Sequence, residues 1–213
     1  MIIQITQPAG LGDILFCLKI AVNIIKAGNT VYWPVIPQYS WIKDYIQIKN
    51  LHWEESDNTD AFFIDLQSAG RVYPNLPIMA AKYKMVEMDY SDWQNFVPIK
   101  RNPEKELELF NKMVTQKPYC LICEIFASPP GVLKRSVPPS DYHNVYISQI
   151  EEYTPFDWCK LLEEADEVRL VDTCFTYLVE ILNMKTQKMS LYSRDLKDFY
   201  TNYIWKKSWT YIK

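Results

Sequence analysis

Short unbroken apolar runs alternate along the chain with longer stretches in which apolar residues recur at helical spacing. Residues 2–7 predict a buried strand, and 13–27, DILFCLKIAVNIIKA, place apolar residues on nearly every helical face, as in a helix covered on all sides. Gly28-Asn29 supplies a C-terminal cap, and TVYWPV at 30–35 predicts the next strand. Strand, crossover helix and strand in close succession imply a parallel sheet with a right-handed connection. The pattern continues with a helix over 38–46, a strand over 61–66, a helix over 77–86 and an amphipathic helix over 103–115 with proline in its first turn.

The alternation restarts after residues 116–118. Strands are predicted at 119–126, 144–149, 167–172 and 188–193, with helices at 155–165 and 174–183. The aromatic segment 196–212 reads as an amphipathic helix and tail, expected to cross back onto the first half. The resulting class is α/β, with an N-terminal Rossmann-like domain over 1–116 and a C-terminal one over 117–213. Apolar residues make up 48% of the 213 and aromatics 15%, ample for a packed core.

Charge narrows the partners. Lysine and arginine number 23 against 26 acidic residues, with no long basic cluster to follow a phosphate backbone, so nucleic acid is not expected. No apolar run approaches the ~20 residues of a membrane span and no secretory signal pattern opens the chain, which places it in the cytoplasm, or the host cytoplasm if viral. The five cysteines are odd in number and scattered, as in a reducing compartment. Cys120 and Cys123 match C-x-x-C, but on a strand such residues face opposite ways and cannot share a metal. Neither His52 nor His143 sits in a recognisable catalytic motif.

Three stretches carry candidate chemistry. Gly10 and Gly12 in GLGDILF occupy the first two glycine positions of a dinucleotide fingerprint, but Phe16 stands at the third and WPVIPQ offers no acidic residue for a ribose, which disfavours NAD. Asp13 sits in the first turn of the following helix. It either serves that helix's free N–H groups or faces a ligand as a general base. Asp172, Thr173 and Cys174 lie where a strand ends and a helix begins, a place that caps a helix or holds an anion. Lys134 and Arg135, adjacent in a proline-rich loop, could neutralise a diphosphate or simply keep that loop solvated. Trp33, Tyr39 and Trp158 could stack on a sugar or base, with core packing as the alternative.

Taken together, GLGDILFCLKIAVNIIKAGNTVYWPV and ADEVRLVDTCFTYLVEIL resemble the two signature ends of GT-B glycosyltransferases of the ADP-heptose:lipopolysaccharide heptosyltransferase family. The resemblance implies two Rossmann-like domains facing each other across a cleft, the donor bound mainly by the second and the acceptor by the first. It further implies metal-independent, inverting transfer from a nucleotide-diphosphate sugar to a glycan or other hydroxyl acceptor, with no cofactor. Asp13 matches the family's catalytic base, Gly10 and Gly12 its glycine turn, Asp172, Thr173 and Cys174 its donor-side stretch, and Lys134, with Arg135 beside it, its phosphate-binding lysine. Cys174 and Tyr177 replace the family's glycine and histidine, and the chain is shorter than usual, similar to glycosyltransferase-like proteins of phages. The alternative is a binding or assembly protein on a degenerate GT-B frame.

Overall fold

The computed structural model describes residues 1–127, 130–133, 136–194 and 202–213. They divide into two compact units: residues 1–100 with 202–204, and residues from 101 to 194 with 205–213.

In the first unit, β1 (Ile2–Ile5), β2 (Thr30–Tyr32), β3 (Leu51–His52) and β4 (Phe62–Ile64) form a parallel sheet in the order β3-β2-β1-β4. Helix α1 (Leu11–Lys26) crosses from β1 to β2, with Leu11, Gly12, every residue from Ile14 to Ala21, and Ile24 buried. Its end matches the cap predicted at Gly28, which adopts φ 87° and donates to Ile25 O at 2.9 Å. The predicted helix at 38–46 is broken: a 3-10 turn at Pro37–Tyr39, with proline at its first position, precedes the single turn of α2 (Ile42–Tyr45). Two short helices follow, α3 (Ala69–Val72) and α4 (Ile78–Met85).

Phe16 explains the missing third glycine. Its ring lies 4.9 Å from that of Tyr83 and 5.4 Å from that of Trp93, and the Tyr83 hydroxyl donates to Phe16 O at 2.6 Å. The side chain is thus the pin between α1, α4 and the turn at Trp93–Phe96. Lys19, buried on α1, pairs with Asp92 just before that turn. Strand β4 forms an edge of the sheet. Phe62 and Phe63, which point to opposite faces, remain 59% and 58% exposed there.

The second unit begins with α5 (Pro103–Met113), whose Glu106, like Glu163 further along the chain, is bonded by Arg101. Strands β5 (Tyr119–Cys123), β8 (His143–Tyr146), β9 (Glu167–Val171), β10 (Met189–Tyr192) and β11 (Thr210–Ile212) form a parallel sheet in the order β11-β10-β9-β5-β8. Between β5 and β8 stands an antiparallel pair, β6 (Ile125–Ala127) and β7 (Pro130–Val132), where the sequence predicted a longer strand and a loop. Helices α6 (Cys159–Glu164) and α7 (Cys174–Ile181) complete the unit.

The C-terminal helix expected over 196–212 is not what the described part of that segment forms. Residues 202–204 make one 3-10 turn, and Thr210–Ile212 is a strand added parallel to β10. Its anchor is Glu180, 5% exposed on α7, whose carboxylate accepts from the N–H of Lys206 at 2.8 Å, of Lys207 at 3.2 Å and from Trp209 Nε1 at 2.8 Å. A buried carboxylate with three donors overrides the weak helical preference of a short aromatic stretch.

Candidate functional site

In a parallel α/β sheet, neighbouring loops part at the carboxyl edge where strand order reverses, which leaves a crevice there. In the first unit that reversal falls between β1 and β4, and the turn leaving β1 is Gln7 to Gly10. The turn is tied to the segment after β2: Trp33 Nε1 donates to Gln7 O at 3.0 Å and Ile36 N to Pro8 O at 2.9 Å. Gly10 then takes φ 80°, a left-handed conformation that residues with a Cβ avoid. A Cβ at this position would also stand 2.5 Å from Asp13 Oδ2.

Asp13 is the chemically exposed member of this corner. Its side chain is 36% accessible, and its Oδ1 accepts from the ammonium of Lys82, a side chain only 3% accessible, reaching from α4. Among the described residues the carboxylate's hydrogen-bond partner is therefore Lys82 rather than a backbone N–H of its own helix. Gly12 is buried within the first turn of α1. Burial pushes the nearby Cys17 thiol up to about 12, so it is neutral and unreactive.

In the second unit the order reverses between β5 and β9, where Asp172 and Thr173 follow β9. Thr173 caps α7, its Oγ1 accepting from Phe175 N at 3.3 Å, and Thr176 Oγ1 accepts from Thr173 N at 3.4 Å. Asp172 contributes its backbone carbonyl to Arg194 Nε at 2.6 Å, and the Arg194 guanidinium lies 5.0 Å over the Phe126 ring. The thiols of Cys123 and Cys174 are both pushed up to about 12, chiefly by burial, which leaves Cys174 a neutral wall beside the helix start. Thr173 and Thr176 thus satisfy the N–H groups of Thr173, Phe175 and Thr176 from within the chain, and what this corner presents to an anion is the positive end of the α7 dipole with the Arg194 cation alongside.

No protein-family model and no curated protein matches the sequence. Solved structures do. A glycosyl transferase of family 9 from Veillonella parvula DSM 2008 superposes with a TM-score of 0.59 at 10% identity, over 99% of this chain and 86% of that one. The E. coli heptosyltransferase WaaC with ADP gives 0.52 at 12% identity, over 99% and 92%. TibC from enterotoxigenic E. coli H10407, an iron-containing dodecameric glycosyltransferase, gives 0.53 at 10% identity, over 90% of this chain and 57% of its own. The fold is GT-B-like, similar to that of these solved glycosyltransferases. At these identities the likeness is one of fold.

Within the GT-B frame the predicted site residues separate into two groups, each described in its own unit. Gly10, Gly12 and Asp13 meet at the first corner; Asp172, Thr173 and Cys174 meet at the second. Lys134 and Arg135 lie outside the described residues. Tyr177 turns inward, 6% exposed, its ring 4.7 Å from that of Trp205. Trp33 and Trp158 are core residues, 0% and 2% exposed. The sequence reading missed two cations, Lys82 and Arg194. Lys82 had only a signal it shares with Lys84, a charge inside the apolar run PIMAAKYKMV, whereas Arg194 had none, since a basic residue after a strand is ordinary.

Among the described residues no helix is long and apolar enough to cross a membrane.

Proposed function

We propose that the protein is an inverting glycosyltransferase that moves a sugar from a nucleotide diphosphate donor to a hydroxyl acceptor, with no metal in the transfer step. The observation that carries this reading is Asp13, a carboxylate held by a buried lysine at the carboxyl edge of the strand where the sheet order reverses. The acceptor hydroxyl donates to Asp13 while its oxygen attacks the anomeric carbon from the face opposite the diphosphate. The bond from that carbon to the diphosphate oxygen breaks, the electron pair leaves with the diphosphate, and the proton ends on Asp13. One displacement inverts the anomeric centre.

Charge growing on the leaving diphosphate is assigned to the second unit, to the positive end of the α7 dipole at Thr173 and to the Arg194 guanidinium beside it. Lys134 and Arg135 are kept as further cations on the strength of the sequence alone. That the similar WaaC was solved with ADP supports a nucleotide as ligand. The test is release of nucleoside diphosphate from a panel of UDP-, GDP- and ADP-sugars, with Asp13→Asn as the comparison. Wild-type silence across the panel, or undiminished release by Asp13→Asn, sinks this mechanism.

A second reading, a binding or assembly protein on the same frame, is favoured by Tyr177. A tyrosine packed on Trp205 stands where the resemblance implies a histidine at the donor. Thermal shift separates the two: a nucleoside diphosphate at ~100 times its dissociation constant adds about 2.7 kcal/mol to the folded state, and an enzyme should show it.

A further inference from the structure

Lys82 is costly where it stands. An ammonium that is 3% accessible has lost nearly all its water, and a methionine of similar length would fill the same space between α4 and α1 without that cost. Its neighbours explain why it cannot swing out: Ala81 and Tyr83 on either side are buried, and the Tyr83 hydroxyl locks α4 to α1 through Phe16 O at 2.6 Å. The ammonium is thus delivered to one acceptor, Asp13 Oδ1.

The other carboxylate oxygen is treated in the opposite way. Oδ2 lies against Gly10, where any side chain would begin 2.5 Å away. Glycine is thus what lets that oxygen lie where it does, and the side chain as a whole stays 36% accessible. Lysine on one oxygen and glycine beside the other give the carboxylate a defined orientation.

We infer that Lys82 is a positioning residue for the transfer reaction: it clamps Asp13 through Oδ1 so that Oδ2 alone receives the acceptor hydroxyl. This rests on the glycosyltransferase reading given above. A clamp of this kind acts on turnover rather than on donor affinity, because the donor is assigned to the second unit. A misplaced base loses rate steeply, since the reacting atoms need near-contact geometry.

The experiment uses the full chain and measures nucleoside diphosphate release from whichever sugar nucleotide of the UDP, GDP and ADP panel the wild type hydrolyses. Lys82→Met is expected to lower kcat at least tenfold with the donor KM within twofold, and Lys82→Arg to restore part of the loss. In the Asp13→Asn background, Lys82→Met should cost less than twofold more. A second measurement covers loss of folding: Asp13→Asn should lower the melting temperature and added Lys82→Met should recover it, since the stranded ammonium is then gone. An active wild type with Lys82→Met unimpaired, an equal loss in the Asp13→Asn background, or no recovery of melting temperature in the double variant overturns the inference while leaving the glycosyltransferase reading standing. A wild type inactive on every donor removes both.

Discussion

Glu180→Gln isolates one tertiary anchor. The change alters no volume and removes one acceptor oxygen from a carboxylate that receives Lys206 N, Lys207 N and Trp209 Nε1. With its oxygen toward Trp209, the glutamine turns an NH2 group on Lys206 N, whose bond at 2.8 Å is then lost to a donor facing a donor. A hydrogen bond to a charged acceptor is worth roughly 1.5–3 kcal/mol, and a buried donor left unpaired adds to that, so the variant should lose about 2–4 kcal/mol. For a chain of this size each kcal/mol lowers the melting temperature by roughly 2–4 °C, which predicts a fall of about 4–16 °C. Differential scanning fluorimetry measures it, with the exposed Glu151→Gln as control. Hydrogen exchange adds a local readout: the amide of Ser193 donates to Ile212 O at 3.0 Å and should exchange at least ~10-fold faster once β11 frays. A fall below about 1 °C with Ser193 exchange unchanged would refute the view that Glu180 holds the C-terminal strand.

Gly10→Ala should destabilise by about 1–2 kcal/mol, from the left-handed backbone and the contact with Asp13 Oδ2, and should abolish nucleoside diphosphate release; urea denaturation and the release assay check both. The thiols of Cys17, Cys120, Cys123 and Cys159, buried and pushed above their usual range by that burial, should stay unmodified by a thiol reagent at pH 8 until denaturant is added, as absorbance of the released chromophore will show. Acidification should weaken the second unit. The carboxyl of Glu164, bonded by Lys160 and Lys117, and that of Asp166, bonded by Lys185, are held below their ordinary values of 4.5 and 3.8. A depressed folded value contributes stability above the ordinary value and loses it as pH falls, so melting temperature should drop below about pH 4.5, and less steeply in Asp166→Asn.

What was legible in the sequence was whatever rests on near neighbours. The β1-α1-β2 unit followed from an apolar strand, an all-apolar helix and a glycine stop within one short stretch, and the corner at Gly10 followed from its place between them. The resemblance that led to a GT-B fold drew on these same local segments. Long-range pairings left fainter marks. Lys82 meets Asp13 across 69 positions, and nothing local distinguishes it from Lys84 two residues on. Glu180 did leave a trace, as an acid inside YLVEIL, but its meaning lies in a tail 26 residues away. That tail misled the periodicity reading because Trp205 and Trp209 sit in the core for reasons of tertiary contact, while Thr210–Ile212, with its β-branched and aromatic side chains, takes the free edge of β10.

The outer edge of β4 bears on how the protein behaves in the tube. Two phenylalanines on opposite faces of an edge strand, both more than half exposed, lack the charges with which natural sheets blunt their rims. Such a rim favours strand-to-strand stacking at milligram concentrations, so turbidity on concentrating the sample should fall when Phe63 is replaced by lysine. That substitution lies far in sequence from Asp13, so solubility should be open to engineering without touching the chemistry.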